Sequence, residues 1–197
     1  MTPPVGVILA GGQSSRMGGG DKGLLHLGRR PILSHVIERL SPQVADLALN
    51  ANGDPARFAP FGLPVIADSV PGFAGPLAGV LAGLDWAASQ GAETIVTAAA
   101  DTPFFPADLV PRLLMACEGM DTSLALAASP DGRHPTFGIW PVALRDDLRA
   151  ALTGGLRKVV LWTGQHGGQI AEFPGSTPDP FFNVNTPEDL AQAESWM

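Results

Sequence analysis

The chain is predicted to fold as a three-layer α/β/α sandwich built on a mostly parallel sheet. Short apolar runs recur at Val5–Leu9, Val44–Leu49, Pro64–Ala67 and Thr94–Ala100. Longer stretches with apolar residues at helical spacing separate them, among them ILSHVIERL from Ile32 and PLAGVLAGLDWAA from Pro76. That alternation puts crossover helices on both faces of a parallel sheet, whose strands are then apolar on both sides. Polar residues also stand just where several runs stop: Asn50, Asp68 and Asp101. Open α/β sheets hold ligands at the carboxyl ends of their strands. The length of 197 residues, with 45% hydrophobic and 16% charged residues, suits one globular domain over residues 1–197.

Composition excludes several classes. The net charge is −7, so the chain lacks the basic surface that general nucleic-acid binding requires. Cys117 is the single cysteine. It allows no internal disulfide and no cysteine metal cluster, and its setting, LLMACEGM, reads as a buried helix position. The first residues lack a basic segment followed by a long apolar core, and no run is long enough to span a bilayer. The expectation is a cytoplasmic protein with no membrane or nucleic-acid partner.

The first strand, Val5–Leu9, breaks into glycine at positions 11, 12, 18, 19, 20 and 23, with Arg16 and Lys22 among them. Glycine lets backbone N–H groups approach a ligand closely, and two cations in such a loop describe a phosphate cradle. Gly18, Gly20 and Gly23 match G-x-G-x-x-G, but a full loop too late after the strand; a Walker sequence is absent. Leu24–Leu27 is a short extended piece. Pro31 opens a helix in which Ile32, Val36, Ile37 and Leu40 face the core and His35 reads as a packed or surface residue.

Asn50-Ala51-Asn52 ends the second strand, either as a turn or with an amide, at Asn50, facing a base or ribose. Asp68 closes the third. Pro76 opens a helix running to Trp86, with Gly75, Gly79 and Gly83 keeping one face small. TIVTAAA is a strongly buried strand, and Asp101 follows it. Beyond lie a helix at Leu109–Glu118, a strand at Ser123–Ala128, a loop at Pro130–Thr136 and a strand at Thr136–Trp140. Helices at Val142–Leu152 and Leu156–Trp162 and a strand at Gln169–Phe173 complete the series. In FNVNTPED, Thr186 caps a last helix, Pro187 is its first residue and Asp189 lies in the first turn. The cap does not account for Asn183 and Asn185, which extended geometry places on one face around Val184.

LAGGQSSRMGGGDKGLL, residues 9 to 25, resembles the first motif of the molybdenum cofactor guanylyltransferases, which are Rossmann-like nucleotidyltransferases. GPLAG at 75–79, Asp-Thr-Pro at 101–103 and Asn-Val-Asn-Thr-Pro-Glu at 183–188 resemble further motifs of that family, so the likeness spans nearly the whole chain. It implies transfer of GMP from GTP to the terminal phosphate of molybdopterin, with release of pyrophosphate. Nucleotide contacts are implied for Leu9, Ala10, Gly11, Gly12, Lys22, Asn50, Asp68 and Asp101. The resemblance also implies that Lys22, Arg16 and Asp101 carry catalysis, that Asp101 holds Mg2+ as the cofactor, and that Asn183, Asn185 and, in the Gly-x-His-Pro-like loop, His134 face the acceptor. Implied partners are GTP, the molybdopterin cofactor and the molybdoenzymes or delivery proteins that handle it. Gly11-Gly12 stands where relatives using CTP resemble Leu-Ala-Ala-Gly. Two other readings remain: a cytidylyltransferase of the same fold, and a nucleotide- or cofactor-binding carrier without catalysis.

Overall fold

The computed structural model describes residues 2–11, 21–72 and 75–197. Its strands are β1 (Val5–Leu9), β2 (His26–Leu27), β3 (Arg30–Pro31), β4 (Leu47–Asn50), β5 (Val65–Ile66), β6 (Thr94–Ala99), β7 (Ala125–Ser129), β8 (Gly132–Pro141) and β9 (Gln169–Glu172). Its α-helices are α1 (Ile32–Leu40), α2 (Pro76–Ser89), α3 (Leu109–Ala116), α4 (Arg145–Thr153), α5 (Val159–Gln165) and α6 (Pro187–Glu194). Seven strands form one sheet in the order β5-β4-β1-β6-β8-β7-β9, and β2 pairs with β3 in a separate hairpin. β1 is parallel to both β4 and β6, whereas β8 runs antiparallel to β6 and β7. The sheet is therefore mostly parallel and layered by helices, as the alternating pattern predicts.

Strand geometry divides the apolar residues between two cores, because successive side chains point to opposite faces. Ile8 and Val96 join a core with Leu33, Val36 and Leu113 of α1 and α3. Their neighbours Val7 and Ile95 join another with Leu81 and Leu84 of α2, Leu148 of α4 and Trp162 of α5. Helix α2 is apolar nearly all round, and every residue from Leu77 to Leu84 is buried. Gly83 fits this crowding: a Cβ there would stand 2.9 Å from both Val7 Cγ2 and Ile95 Cδ1.

The predicted loop at 130–136 is instead a tight hairpin. Only Pro130 and Asp131 separate Ser129 from Gly132, and Gly132 takes φ +128. The ladder then slips: Leu126 faces Gly138 while Ala127 faces His134. This bulge removes Pro135, which has no N–H to donate, from regular pairing. Proline, glycine and aspartate so close together read as a loop, although the pairing continues around them. β4 also starts later than predicted, at Leu47, because a 3-10 turn over Ser41–Gln43 prolongs the exit from α1. Thr186 caps α6 through a reciprocal box with Asp189, as the sequence predicts.

One polar pair sits inside the second core. Trp140 Nε1 donates to Thr97 Oγ1 at 2.9 Å, and both residues are fully buried. Thr97→Val keeps the shape but strands the indole N–H, which should cost about 1–3 kcal/mol in urea unfolding. Adding Trp140→Phe should then cost less than Trp140→Phe does in the parent. Simple additivity would mean that the bond contributes nothing.

Candidate active site

Four strand ends meet at one edge of the sheet. Leu9 is level with Asn50 of β4 and with Ala99 of β6, and Asn50 is level with Ile66 of β5. The chain stays tied beyond the strands: Ala10 N donates to Asn50 O at 2.9 Å, and Ala100 N to Leu9 O at 3.1 Å. Leu9, Ala10, Gly11, Asn50, Asp68 and Asp101 therefore come together because their strands are parallel and in register.

On one side, Asn50 is 2% exposed and does more than make a turn. Its amide donates to Ile66 O at 3.2 Å and to Asp68 Oδ1 at 3.0 Å. Asn52 Nδ2 donates to Asp68 Oδ2 at 2.9 Å, and Asn52 Oδ1 accepts from the Asp68 N–H at 2.9 Å. Two amides thus fix both oxygens of one carboxylate. Since the Asn50 NH2 group is spent internally, its Oδ1 is the atom left to meet a ligand. That oxygen faces Gly79 of α2. A Cβ at Gly79 would overlap it and stand 2.9 Å from Leu9 Cδ2. A Cβ at Gly11 would stand 3.5 Å from the same oxygen, an ordinary contact. Gly75 takes φ +135, outside the usual range of other residues, and lets Pro76 begin α2 at the rim of this cleft.

On the other side, Lys22 Nζ donates to Asn185 Oδ1 at 2.5 Å and stands 3.6 Å from Asp101 Oδ2. The Thr102 hydroxyl donates to Asn183 Oδ1 at 2.5 Å and lies 3.3 Å from Asp101 Oδ1. Val184, fully buried between the two asparagines, donates its N–H to Asp101 O at 2.9 Å. Asn183 and Asn185 thus bond Thr102 and Lys22, the two side chains that approach the Asp101 carboxylate. Burial pushes the Asp101 carboxyl above the usual range; the Lys22 charge and the Thr102 bond pull it back.

Two clefts share Leu9 and Asp101. The smaller, about 80 Å³, is lined by Ala10, Asp21, Lys22 and Phe58; the larger, about 220 Å³, by Gly11, Asn50, Asp68, Thr136 and Asn183. The described residues hold no group of three or more His, Cys, Asp or Glu side chains placed to bind a metal. Asp101, the carboxylate common to both clefts, offers a partly exposed hard oxygen. That fits a magnesium ion, which takes one or two carboxylates and completes its shell with waters and substrate phosphates.

Not every predicted residue joins the site. His134 stacks on Phe181 with ring centroids 4.0 Å apart, its Nε2 lies 2.8 Å from Ser129 Oγ, and it lines neither cleft. Gly12 and Arg16 lie outside the described residues. Conversely, sequence reasoning missed Asn52, Thr102, Asp21 and Arg57. Asn52 and Thr102 are adjacent to singled-out positions and share their signal. Arg57 has none: its guanidinium reaches Asp21 Oδ2 at 2.5 Å across 36 residues of sequence.

The description "MobA-like NTP transferase domain" matches residues 6–168. The chain is 56% identical over 192 residues to the molybdenum cofactor guanylyltransferase of Bradyrhizobium sp. (strain ORS 278), covering 96% of this chain and 91% of that one. It is 54% identical to that of Cereibacter sphaeroides, covering 98% and 96%. Among solved structures, molybdopterin-guanine dinucleotide biosynthesis protein A from Archaeoglobus fulgidus has the same fold, with a TM-score of 0.73 at 24% identity over 98% and 97% of the chains.

Two outcomes follow from this geometry. Alanine ordinarily stabilises a helix over glycine by about 1 kcal/mol, but at position 79 the methyl must displace the buried Asn50 amide. Gly79→Ala should therefore destabilise the protein by about 1–3 kcal/mol in urea unfolding and weaken nucleotide binding. Burial holds the His134 pKa below its ordinary value, against Asp179 and Asp131. The unfolded chain then binds more protons in the window below about pH 6.5, so this residue's share of stability falls as pH drops through that window. Between about pH 7.5 and pH 5.5 the parent should lose more unfolding free energy than His134→Gln does; equal losses would mean that His134 titrates normally.

Proposed function

Because the chain belongs to the MobA-like NTP transferase family and, within it, to the molybdenum cofactor guanylyltransferases, we propose that it joins GMP from GTP to the terminal phosphate of molybdopterin. A phosphate oxygen of the acceptor forms a bond to the α-phosphorus, the bond from that phosphorus to the β-phosphate oxygen breaks, and pyrophosphate leaves with the electron pair. The acceptor phosphate is ionised at neutral pH, so no general base is required. Catalysis then rests on alignment and on charge neutralisation.

The observation that carries this reading is the position of Lys22. Its ammonium lines the smaller cleft, is pinned by Asn185 and sits 3.6 Å from Asp101, which lines both clefts. We place the nucleoside against Leu9, Ala10, Gly11 and the Asn50–Asp68 pair, and the acceptor along Asn183 and Asn185. Lys22 follows the charge on the transferring phosphoryl group. Asp101 would hold magnesium, which when bound neutralises phosphate oxygens. The Asp68 carboxylate, with both oxygens fixed by amides, is suited to accept hydrogen bonds from the nucleoside. A site built on such bonds discriminates strongly, because a wrong partner leaves buried polar groups unpaired.

The direct test offers limiting molybdopterin to the four α-labelled NTPs together. The expected product is the guanine dinucleotide; a cytosine dinucleotide would reassign the enzyme, and no labelled dinucleotide would make it a carrier. Asp101→Ala should remain folded by circular dichroism yet lose transfer. Lys22→Ala should lower kcat by about a hundredfold or more with a smaller change in KM. A raised KM at unchanged kcat would mean that Lys22 binds ground state and transition state alike.

A further inference from the structure

Asp21 places a negative charge in the cleft beside Lys22, its neighbour in the chain. A carboxylate there opposes a triphosphate and competes for the ammonium. Arg57 answers it. Arg57 Nε donates to Asp21 Oδ2 at 2.5 Å and Nη2 approaches Asp21 Oδ1 at 3.4 Å. Nη2 also donates to Asn52 O at 2.6 Å, Nη1 donates to Asp54 O, and the guanidinium carbon lies 4.5 Å from the Phe58 ring centroid. The Arg57 side chain is 29% exposed and that of Asp21 19%. These contacts use four of the five N–H donors of a guanidinium whose charge does not titrate.

We propose that Arg57 is a positioning residue for nucleotidyl transfer: it captures Asp21 and thereby leaves Lys22 free to stand between Asp101 and Asn185. It works from the segment that follows β4, the same segment whose Asn52 fixes Asp68, so it ties the lysine loop to the nucleoside wall. The kinetic part of this inference rests on the transfer reading above; the placement of Lys22 does not.

Removing Arg57 leaves Asp21 unpaired in the cleft, where Lys22 is the cation among the described lining residues. Arg57→Gln should therefore lower kcat by about ten- to a hundredfold, with a smaller change in KM for GTP. Replacing Asp21 as well removes the competitor, so Asp21→Asn/Arg57→Gln should recover most of that loss. A strap that merely held the loop in place would give a double variant no better than Arg57→Gln. A crystal structure of Arg57→Gln supplies the readout independent of activity. Lys22 Nζ is expected on the Asp21 carboxylate and away from Asn185. If Lys22 stays on Asn185, or if the double variant is as slow as the single one, the proposal is overturned. Should the parent transfer no nucleotide at all, the functional reading fails while the crystal structure still decides the position of Lys22.

Discussion

Val7 and Ile8 are consecutive residues of β1, and each is completely buried, in a different core. A strand covered on both faces cannot be shifted by one residue without exchanging its side chains between two packed environments. That constraint locks β1 against β4 and β6, and with them the level at which each strand stops. Leu9, Asn50 and Ala99 stop together because their strands cannot slide. The polar residues that follow inherit this alignment. The accuracy of the site is thus a property of the hydrophobic layers beneath it.

The charge distribution has a similar economy. The protein is acidic overall, with a net charge of −7, and its proposed substrates are polyanions. Attraction must therefore be local. Asp101 stands beside Lys22 at 3.6 Å. On the proposed reading, Lys22 would exchange that partial pairing for the phosphates of the substrate. Asp21 is the liability in this scheme. Its pairing with Arg57 confines the unfavourable charge to the wall of the cleft.

How far the sequence discloses this arrangement depends on the range of each interaction. Strands β1 and β6 are legible because burial on both faces leaves uninterrupted apolar runs. The cap of α6 is legible because its partners lie within four residues. Asn183 and Asn185 are legible through alternation alone, and Val184 between them confirms the extended geometry by its complete burial. β8 is not, because Gly132 and Pro135 punctuate it, and only pairing with β7 shows that the strand continues. The Arg57–Asp21 pair is invisible for the opposite reason: Asp21 lies in the glycine-rich motif, but Arg57 has no unusual neighbourhood in sequence, and the loop closure between them is set by the fold. Asn50 lies between these cases. Its position is legible, but its internal use, fixing Asp68, depends on where β5 ends.

The bond between Thr102 and Asn183 spans 81 residues of chain, and that between Lys22 and Asn185 spans 163. At about 5–20 residues per second of synthesis, the first separation alone corresponds to about 4–16 s. Throughout that interval a nascent chain already contains Leu9, Lys22, Asn50, Asp68 and Asp101 but lacks the amides that pin the lysine and flank the carboxylate. On the proposed reading, the nucleoside wall is translated early and the acceptor wall late, so the parts proposed to hold the nucleotide are made before those proposed to meet its acceptor.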